Sequence, residues 1–270
     1  MSMAGPRAAV AKHSERLAAR TVLDSSAVRL RDVSKVYGRG SDALLALDRV
    51  SLSAAPGEFV CLLGASGCGK STLLSVVTGL DEASAGTVEV PGRSTLMFQE
   101  PALFPWLTAT RNVELGLRAN PMSAKQRRDR AAELLAAVHL AGLGGKRPHE
   151  LSGGMRQRVA LARALAQDVD VLAMDEPFGA LDAMTRDLLH DELERIWLER
   201  GLTVLFVTHN VREAVRLGDK VVLLSSRPGT VIEEYPVDAP RPRKIESPDV
   251  SSLAGQITER LRAEVMRHGS

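Results

Sequence analysis

The chain has 270 residues, of which 44 % are hydrophobic, 35 are Lys or Arg and 33 are Asp or Glu. This length and composition can fill the core of one large α/β domain, and a net charge of +2 gives no whole-molecule electrostatic reason to expect nucleic acid as a partner. The longest apolar runs fall far short of the roughly 18 to 20 residues that span a bilayer, so we expect no membrane-crossing segment.

The amino terminus and the cysteines favour a cytoplasmic protein. The first 20 residues include basic side chains but no apolar stretch of the roughly 7 to 15 residues found in secretory signals. Cys61 and Cys68 are too few for a disulfide framework and do not form a metal-ligand pattern. Residues 1–26 are rich in Ala and Arg with few large apolar side chains, which predicts a flexible tail.

Two kinds of β-sheet are predicted after the tail. The segments "VRLRDVSKVY" and "LDRVSLSA" alternate apolar and polar residues, as antiparallel strands with one exposed face do. The segments "FVCLLG", "VDVLAMD", "LTVLFVT" and "KVVLLS" are almost continuously apolar, which is typical of parallel strands covered on both faces. The fold class is therefore α/β with a mixed sheet arrangement.

Apolar residues at helical spacing lie between and after these strands. A helix-rich block at about 103–165 interrupts the alternation of strands and helices, and the Pro-rich segment after residue 235 predicts a linker within 236–270. Three helical faces are expected, formed by Leu134, Leu135 and Val138; by Leu188, Leu189, Leu193, Ile196 and Trp197; and, as a C-terminal amphipathic helix, by Leu253, Ile257, Leu261 and Val265.

The segment "GASGCGKS" fits the phosphate-loop pattern G-x-x-x-x-G-K-[ST]. It follows a buried strand and precedes the helical "TLLSVVTGL", which makes a chance Gly-rich turn the weaker interpretation. We expect Lys70 to neutralise the β and γ phosphates, Ser71 to bind Mg²⁺, and Cys68 to be a small filler and not a redox group. The residues predicted to hold the nucleotide here are Gly64, Ala65, Ser66, Gly67, Cys68, Gly69, Lys70, Ser71 and Thr72.

The segment "VLAMDE" supplies two carboxylates at the end of a predicted buried strand. Asp175 is expected to hold Mg²⁺ through water, and Glu176 to polarise the attacking water. A solvated turn is the commoner meaning of two adjacent acids, but the apolar run before them and the phosphate loop upstream favour the catalytic interpretation.

A third motif, "LSGGMRQR", places Ser152, Gly153 and Gly154 at the start of a helical pattern and predicts a second phosphate-binding helix terminus. One nucleotide does not need two such cradles from one subunit. With this motif the sequence resembles the nucleotide-binding subunit of an ABC transporter over about residues 28–230. The resemblance implies a P-loop, RecA-like mixed sheet core with an N-terminal antiparallel β subdomain and an inserted α-helical subdomain, spanning 27–235, with ATP and Mg²⁺ as cofactors.

The resemblance also implies roles for four further residues. Without it, each would be interpreted as an ordinary surface or strand residue. Tyr37 would stack on adenine, Gln99 would sense Mg²⁺ and the γ phosphate, Asp182 in "ALD" would lie in the segment that crosses between subunits, and His209 would hold the γ phosphate and the attacking water. Two residues depart from the family pattern: Met155 replaces a glutamine and Asn210 replaces an aspartate.

As implied by the family, two copies would face head to tail around two ATP molecules. The segments "FQEPALFPWLTATRNVELGL", "DEPFGALDAMTR" and "SSRPGTVIEEYPVDAPRPR" resemble the branch that imports nitrate, taurine and aliphatic sulfonates, and the short link before "STLMFQE" favours sulfonates. Separate permease subunits and a solute-binding protein would be its partners at the cytoplasmic face of the membrane. Taurine, nitrate or another small anion remains an alternative substrate.

A soluble ABC ATPase acting on ribosomes or DNA is the second hypothesis, without support from a repeat or sustained heptads. The only sequence feature that supports this hypothesis is the basic cluster "KQRRDR" at 125–130. A solvated helix face is the preferred interpretation of the cluster, so no nucleic acid partner is predicted.

The stretch "QEPALFPWLTA" concentrates aromatic residues in a chain whose aromatic content is 3 %. Phe98, directly before it, ends an apolar strand and is expected to point inward. Leu103, Phe104, Pro105 and Trp106 are expected to be exposed anchors that bind a short helix of the permease, because aromatic clusters are favoured at interfaces.

Overall fold

The structure is a computed structural model that describes residues 26–268, so the predicted tail lies outside the described residues except for Ser26. The strands are β1 (Val28–Tyr37), β2 (Leu44–Ala54), β3 (Phe59–Leu63), β4 (Ala85–Glu89), β5 (Ser94–Met97), β6 (Val171–Asp175), β7 (Thr203–Val207), β8 (Lys220–Leu224) and β9 (Val231–Pro236). The helices are α1 (Lys70–Val77), α2 (Ala109–Gly116), α3 (Ala124–Ala137), α4 (Gly153–Leu165), α5 (Ala183–Arg200), α6 (Val211–Leu217) and α7 (Pro248–His268).

Strands β2, β1 and β4 form a small sheet in that order, and both pairings are antiparallel. Along β1 the buried residues are Val28, Leu30 and Val33, with exposed or half-buried positions between them. This is the one-sided burial that the alternating pattern predicted, and it confirms an antiparallel sheet near the amino terminus.

The large sheet has the strand order β5-β6-β7-β3-β8-β9, with β9 antiparallel to β8 and the other neighbours parallel. All of β3 is buried, and its residues alternate between two cores: Phe59, Cys61 and Leu63 pack on the side of the helical block, and Val60 and Leu62 on the side of α1 and the small sheet. Burial on both faces explains the continuous apolar runs, and the predicted parallel strands are confirmed.

Parallel strands bring their carboxyl ends to one edge of a sheet, and this edge collects the sequence motifs. The phosphate loop follows β3, the two carboxylates stand at the end of β6, and His209 follows β7. A turn at residues 225–230 follows β8, which is a direct neighbour of β3. The topology therefore assembles a site from segments far apart in sequence.

Helices α2, α3 and α4 form the inserted helical region. Thr108, Ser123 and Ser152 cap their amino termini by accepting hydrogen bonds from backbone N–H groups. Leu134, Leu135 and Val138 are buried, as predicted for α3 and its end. The basic cluster lies on the partly exposed side of α3, where Arg130 pairs with Glu133 at 2.7 Å.

The predicted face of α5 is correct except for one residue. Leu189, Leu193, Ile196 and Trp197 are all at most 1 % exposed, but Leu188 is 55 % exposed. The four buried residues recur at helical spacings of four, three and one, whereas Leu188 lies about 100° around the helix from Leu189. The four buried residues span an arc of about 100° between Ile196 and Trp197, and Leu188 falls outside that arc.

The C-terminal segment is held against the domain by ion pairs and hydrogen bonds, although the sequence predicted a linker here. The Arg241 guanidinium lies 4.5 Å from the centre of the Trp197 ring and pairs with Glu194 at 2.6 Å and Asp219 at 2.9 Å. Arg243 donates to the backbone carbonyls of Val237 and Ala239 at 2.8 and 2.7 Å.

Helix α7 is present as predicted, but its buried stripe is Val250, Ala254 and Ile257, and Val265 is 46 % exposed. A strict four-residue spacing drifts about 40° per step relative to 3.6 residues per turn, which carries Val265 away from the core. Within residues 26–268, none of the helices combines the length and apolar character needed to cross a bilayer.

Candidate functional site

A cavity of about 510 Å³ lies at the carboxyl edge of the large sheet. Most residues lining it were predicted from the sequence motifs, and the unpredicted ones are Leu44, Ala46 and Arg227. The predicted residues that it brings together are Tyr37, Ser66, Gly67, Gly69, Lys70, Ser71, Thr72, Gln99, Asp175 and Glu176.

The phosphate loop turns sharply into α1 at Gly69. This residue has a φ of 96°, and a Cβ atom there would lie 2.7 Å from Leu47 Cδ2 and 2.8 Å from the Ala46 carbonyl oxygen. Both the left-handed conformation and the close packing therefore require glycine. The helix begins at the next residue, so its unpaired amino-terminal N–H groups and positive dipole end lie at the cavity.

Lys70 is only 6 % exposed, and its Nζ donates to the carbonyls of Gly64 and Ala65 at 2.9 and 2.8 Å. The ammonium group is thus held within the loop, beside the helix terminus. Cys68 is 1 % exposed and packed in the core, in agreement with its interpretation as a small filler.

Ser71 and Asp175 form a pair at the cavity, with the serine hydroxyl hydrogen-bonded to the carboxylate. Burial raises the pKa of the Asp175 carboxyl above its ordinary value, the Ser71 hydrogen bond opposes that shift, and the neighbouring Glu176 adds to it. An ionised carboxylate held in this desolvated position favours a cation beside it.

A hydroxyl, a carboxylate and the Gln99 side-chain oxygen are hard donors of the kind Mg²⁺ prefers, so the residues fit a magnesium ion. Across the described residues, no three His, Cys, Asp or Glu side chains come together as a metal cluster. Mg²⁺ is usually bound by one or two carboxylates together with the phosphates of a nucleotide.

Glu176 and His209 meet at the mouth of the cavity, where His209 Nδ1 lies 3.3 Å from Glu176 Oε2. Glu176 has a φ of 43°, which is unusual outside glycine, and its N–H donates to the Val207 carbonyl at 3.0 Å. The left-handed turn directly after β6 directs the chain across the end of β7, and it brings the carboxylate beside the histidine that follows β7.

Tyr37 lines the cavity and is 39 % exposed. Its hydroxyl donates to Asp81 at 2.8 Å, and Lys35 Nζ lies 4.9 Å from the ring centre. The hydrogen bond and the cation fix the orientation of the ring, which lines the cavity beside Leu44.

Gln99 lines the cavity as predicted, but the expectation that Phe98 points inward is wrong. Phe98 is 49 % exposed, whereas Met97, the last residue of β5, is 4 % exposed. Successive side chains of a strand point to opposite faces, so the buried Met97 puts its neighbour outside.

Two residues of α4 hold the backbone around Gln99, and sequence reasoning missed both. Gln157 donates to the Gln99 carbonyl at 2.7 Å, and Arg163 donates to the carbonyls of Pro101 and Ala102 at 2.8 and 2.7 Å. A polar residue on the buried side of an otherwise apolar helix was the available signal for Gln157, which is 3 % exposed.

The aromatic stretch is largely a surface feature. Phe104 is 42 % exposed and Trp106 is 67 % exposed, with their ring centres 5.4 Å apart, and Pro105 is exposed beside them. Leu103 differs from the prediction because it is half-buried and packs against the main core. It anchors the stretch to the domain, and the aromatic pair stands outside.

Asn112 hydrogen-bonds the backbone of this stretch, and that role was not predicted from the sequence. It is fully buried, accepts from the Phe104 N–H at 2.9 Å, and donates to the carbonyls of Phe104, Leu107 and Thr108 at 3.3, 3.2 and 3.0 Å. One amide side chain thereby replaces the regular hydrogen bonds that an irregular loop lacks.

The second predicted phosphate cradle does not line the cavity of its own subunit. Ser152 caps α4, and a Cβ atom on Gly154 would lie 2.4 Å from Thr185 Cγ2, so this helix terminus packs tightly on α5. Asp182 caps α5 by accepting from the Thr185 N–H at 3.0 Å, and this hydrogen bond lowers the pKa of the Asp182 carboxyl. The residues of the predicted second subunit contact that do not line this cavity are Ser152, Gly153, Gly154 and Asp182.

The two departures from the family pattern fit their positions. Met155 is 36 % exposed at the start of α4. Asn210 caps α6 by accepting from the N–H groups of Arg212 and Glu213 at 3.1 and 3.3 Å, a role that asparagine and aspartate fill equally well.

Comparison with known proteins agrees with this geometry. A family model described as "ABC transporter" matches residues 47–179. The nitrate import ATP-binding protein NrtD of Synechocystis is 43 % identical over 221 residues, covering 79 % of this chain and 83 % of that protein. The aliphatic sulfonates import ATP-binding protein SsuB of Bacillus subtilis is 44 % identical over 219 residues, covering 78 % of this chain and 85 % of that protein.

The taurine import ATP-binding protein TauB of Burkholderia pseudomallei is 45 % identical over 219 residues, with 78 % of this chain and 84 % of that protein covered. Among solved structures, a dimeric ATP-binding cassette in a post-hydrolysis state bound to ADP and Pi is 35 % identical with a TM-score of 0.71, covering 78 % of this chain and 99 % of that chain. The chain belongs to the family of ATP-binding, ATP-hydrolysing ABC transporter subunits.

Proposed function

We propose that the chain energises an importer by closing as a pair of copies around two ATP molecules and opening after hydrolysis. The observation that carries this proposal is the cavity of about 510 Å³, which gathers the phosphate loop, two carboxylates and Gln99 at one sheet edge. In this proposal residues 27–235 form the ATPase domain, with a helical subdomain at about 103–165, and residues 236–270 add the linker and the C-terminal helix.

The nucleotide would lie along the cavity with adenine at Tyr37 and its phosphates at the loop. Lys70 would release the loop carbonyls and turn to the β and γ phosphates, since an ammonium group gains more from an anion than from neutral carbonyls. The backbone of residues 64–72 would supply N–H donors, which cost little reorganisation because the loop is already folded.

Ser71, Gln99 and Asp175 would hold Mg²⁺, which supplies charge neutralisation at the phosphates when bound. Glu176 would orient and polarise the attacking water, and His209, 3.3 Å from that carboxylate, would contact the same water and the γ phosphate. The turn at Glu176 fixes the carboxylate before the substrate binds, so little reorganisation remains for the reaction itself.

The second copy supplies the other half of each site in this proposal. Ser152, Gly153 and Gly154 lie outside the cavity of their own subunit, at the terminus of a helix whose first N–H groups suit a phosphate. Asp182 would lie in the adjacent segment that meets the opposite subunit. A related cassette has been solved as a dimer, which supports this arrangement.

Dimerisation tests the site directly. Glu176→Gln should keep ATP binding while slowing hydrolysis to a small fraction of the wild-type rate, so ATP should convert this variant from monomer to dimer in sedimentation velocity. Lys70→Ala in the same background is the matched control and should remain monomeric. A Glu176→Gln variant that hydrolyses ATP at the wild-type rate would refute the assignment of the carboxylate.

The transported substrate is proposed to be an aliphatic sulfonate, with taurine, nitrate or another small anion as alternatives. The similarity to relatives named as sulfonate, nitrate and taurine import proteins supports this substrate class. Permease subunits would receive Phe104, Pro105 and Trp106, with Leu103 as their support, and a solute-binding protein would act through the permease. The subunit would then work as a peripheral protein at the cytoplasmic face of the membrane.

Reconstitution with the permease in liposomes tests this assignment. ATPase activity should rise when the solute-binding protein is loaded with a sulfonate, and rise less with taurine or nitrate. Stimulation by none of these loaded proteins would contradict the importer branch, and co-purification with ribosomes in place of a permease would favour the soluble ATPase hypothesis.

A further inference from the structure

The segments that follow the two neighbours of β3 both lie at the carboxyl edge of the large sheet, and the segment after β8 sends Arg227 into the nucleotide cavity. β3 is hydrogen-bonded to β7 on one side and to β8 on the other. β7 is followed by His209, and β8 is followed by the segment 225–230, from which Arg227 lines the cavity. Arg227 has no part in the phosphate-loop, carboxylate or second-cradle motifs that predicted the other residues.

The segment that carries Arg227 is a tightly built turn. Ser225 Oγ donates to the Pro228 carbonyl at 2.7 Å and accepts from the Thr230 N–H at 2.8 Å. These hydrogen bonds join the first residue of the turn to Pro228 and Thr230. The main chain of the turn therefore has a defined position, and Arg227 projects from a fixed base.

The turn is also packed against β2 and against the phosphate loop. The Gly229 N–H donates to the Ala46 carbonyl at 2.9 Å, and the Gly229 carbonyl accepts from the Asp48 N–H at 3.0 Å. A Cβ atom on Gly229 would lie 2.2 Å from the Cys68 carbonyl oxygen. Only a residue without a side chain lets the two loops approach this closely.

The guanidinium of Arg227 reaches the loop with one of its donors. Its Nε donates to the Gly67 carbonyl at 3.1 Å. Among the described residues, its two terminal NH₂ groups make no hydrogen bond and no ion pair with a carboxylate. A guanidinium has five N–H donors, so four remain for a ligand.

The two cations that line the cavity both contact the phosphate loop. Asp175 and Glu176 are the acidic residues that line the cavity, and Lys70 and Arg227 are the basic ones. Lys70 bonds the carbonyls of Gly64 and Ala65 from within the loop, whereas Arg227 bonds the Gly67 carbonyl from the β8 turn, so the two cations contact different parts of the loop.

We propose that Arg227 binds the phosphate chain of the nucleotide with its terminal NH₂ groups while its Nε keeps the hydrogen bond to Gly67. The assignment rests on the proposed function, because it takes the ligand of the cavity to be ATP. A planar guanidinium can donate two parallel hydrogen bonds to phosphate oxygens, a geometry that a lysine at this position does not provide. Arg227 therefore adds a second cation to the phosphate site in the same chain.

The alternative is that Arg227 only clamps the β8 turn to Gly67. Arg227→Gln separates the two roles, since its amide retains a donor for the Gly67 carbonyl but carries no charge and no guanidinium fork. Equilibrium binding of fluorescent ATP, ADP and AMP analogues to the full chain, by anisotropy with Mg²⁺ present, gives the readout. Arg128→Gln, on the exposed side of α3, is the matched control for loss of one positive charge.

Loss of charge-assisted hydrogen bonds should weaken ATP and ADP binding about tenfold in Arg227→Gln, with AMP binding nearly unchanged and the control equal to wild type. The salt dependence of ATP binding should also become shallower in Arg227→Gln. Wild-type affinity for ATP and ADP in Arg227→Gln would overturn the proposal, as would equal weakening of ATP, ADP and AMP. Failure of the wild-type chain to bind ATP at all would instead refute the proposed function.

Discussion

His190 Nε2 donates to Glu213 Oε1 at 2.5 Å. This buried hydrogen bond joins α5 to α6, the helix that begins two residues after His209. Arg216 lies on the other side of the ring, with NH1 2.8 Å from His190 Nδ1. Because arginine has only donors, Nδ1 accepts, and the proton of the ring stands on Nε2. The second oxygen of Glu213 accepts from the hydroxyl of Thr208, the residue directly before His209.

Glu213→Gln should therefore disturb the position of His209 more than it disturbs nucleotide binding. The amide cannot accept from both His190 and Thr208, and it removes the negative charge beside the buried Arg216. We expect the free energy of unfolding to fall by about 1 to 3 kcal/mol and kcat to fall about tenfold, with ATP affinity within about twofold of wild type.

Urea unfolding and steady-state ATPase assays measure these effects, with ATP binding followed separately. Glu259→Gln, on the exposed face of α7, is the control and should leave all three unchanged. A loss of stability without any change in kcat would show that the buried network supports the fold but does not position His209.

Asp175 is expected to destabilise the empty subunit. Burial raises the pKa of its carboxyl, so at neutral pH the ionised form is less favourable in the folded chain than in the unfolded chain. Asp175→Asn should raise the unfolding free energy of the nucleotide-free subunit by about 0.5 to 1 kcal/mol, or about 1 to 4 °C in Tm, while Mg²⁺-dependent ATP hydrolysis is lost.

The sign of the pH dependence follows from the raised pKa. The cost of ionised Asp175 is complete above the folded-state pKa and disappears as the pH falls through the unfolded-state value of about 3.9. The advantage of Asp175→Asn in Tm should therefore be largest near pH 7 and shrink below about pH 5. An advantage that grows on acidification would contradict the assigned cause.

Sequence patterns predicted the strands and the phosphate loop well because both depend on local rules. Continuous apolar runs specify strands covered on both faces, and a glycine-rich turn between strand and helix specifies a phosphate loop. The orientation of Phe98 was not predictable in the same way. It depends on which residue of the short edge strand β5 is the last to point into the core, and that residue is Met97.

Arg227, Asn112 and Gln157 were missed for a different reason, since each donates to backbone carbonyls and no local sequence pattern marks such a contact. Arg227 and Gln157 reach carbonyls far along the chain, so their roles depend on which strands and helices become neighbours, which the topology decides. Asn112 reaches carbonyls of the irregular loop four to eight residues before it. Residues at the carboxyl end of every strand adjoining a phosphate loop are a place where such contacts can be sought from the sequence.

Arg241→Met should loosen the C-terminal segment. Methionine can keep apolar contact with Trp197, but Glu194 and Asp219 would lose the cation between them. Breaking a buried ion network in this way should cost about 2 to 4 kcal/mol of unfolding free energy. Limited proteolysis should then cut first within residues 237–247, and Arg262→Met, exposed on α7, should behave as wild type. Equal protease resistance in both variants would contradict the fastening role.

Asn112 and the aromatic pair above it give the most specific test of the permease surface. Phe104→Ala with Trp106→Ala removes two exposed side chains, so the isolated subunit should keep its Tm and basal ATPase activity while its affinity for the permease falls at least tenfold. Asn112→Leu removes four hydrogen bonds from the loop beneath the pair, and should weaken permease binding while lowering stability by about 2 to 3 kcal/mol.

Detergent-solubilised permease immobilised on a sensor surface measures the affinity, and nucleotide binding verifies the fold of each variant. Met184→Ala, which removes another exposed apolar side chain on α5, is the control and should bind the permease as wild type does. If both aromatic substitutions leave the affinity unchanged, the pair is not the contact. If they unfold the subunit, the stretch belongs to the core despite its exposure, since exposed side chains contribute little to folding stability.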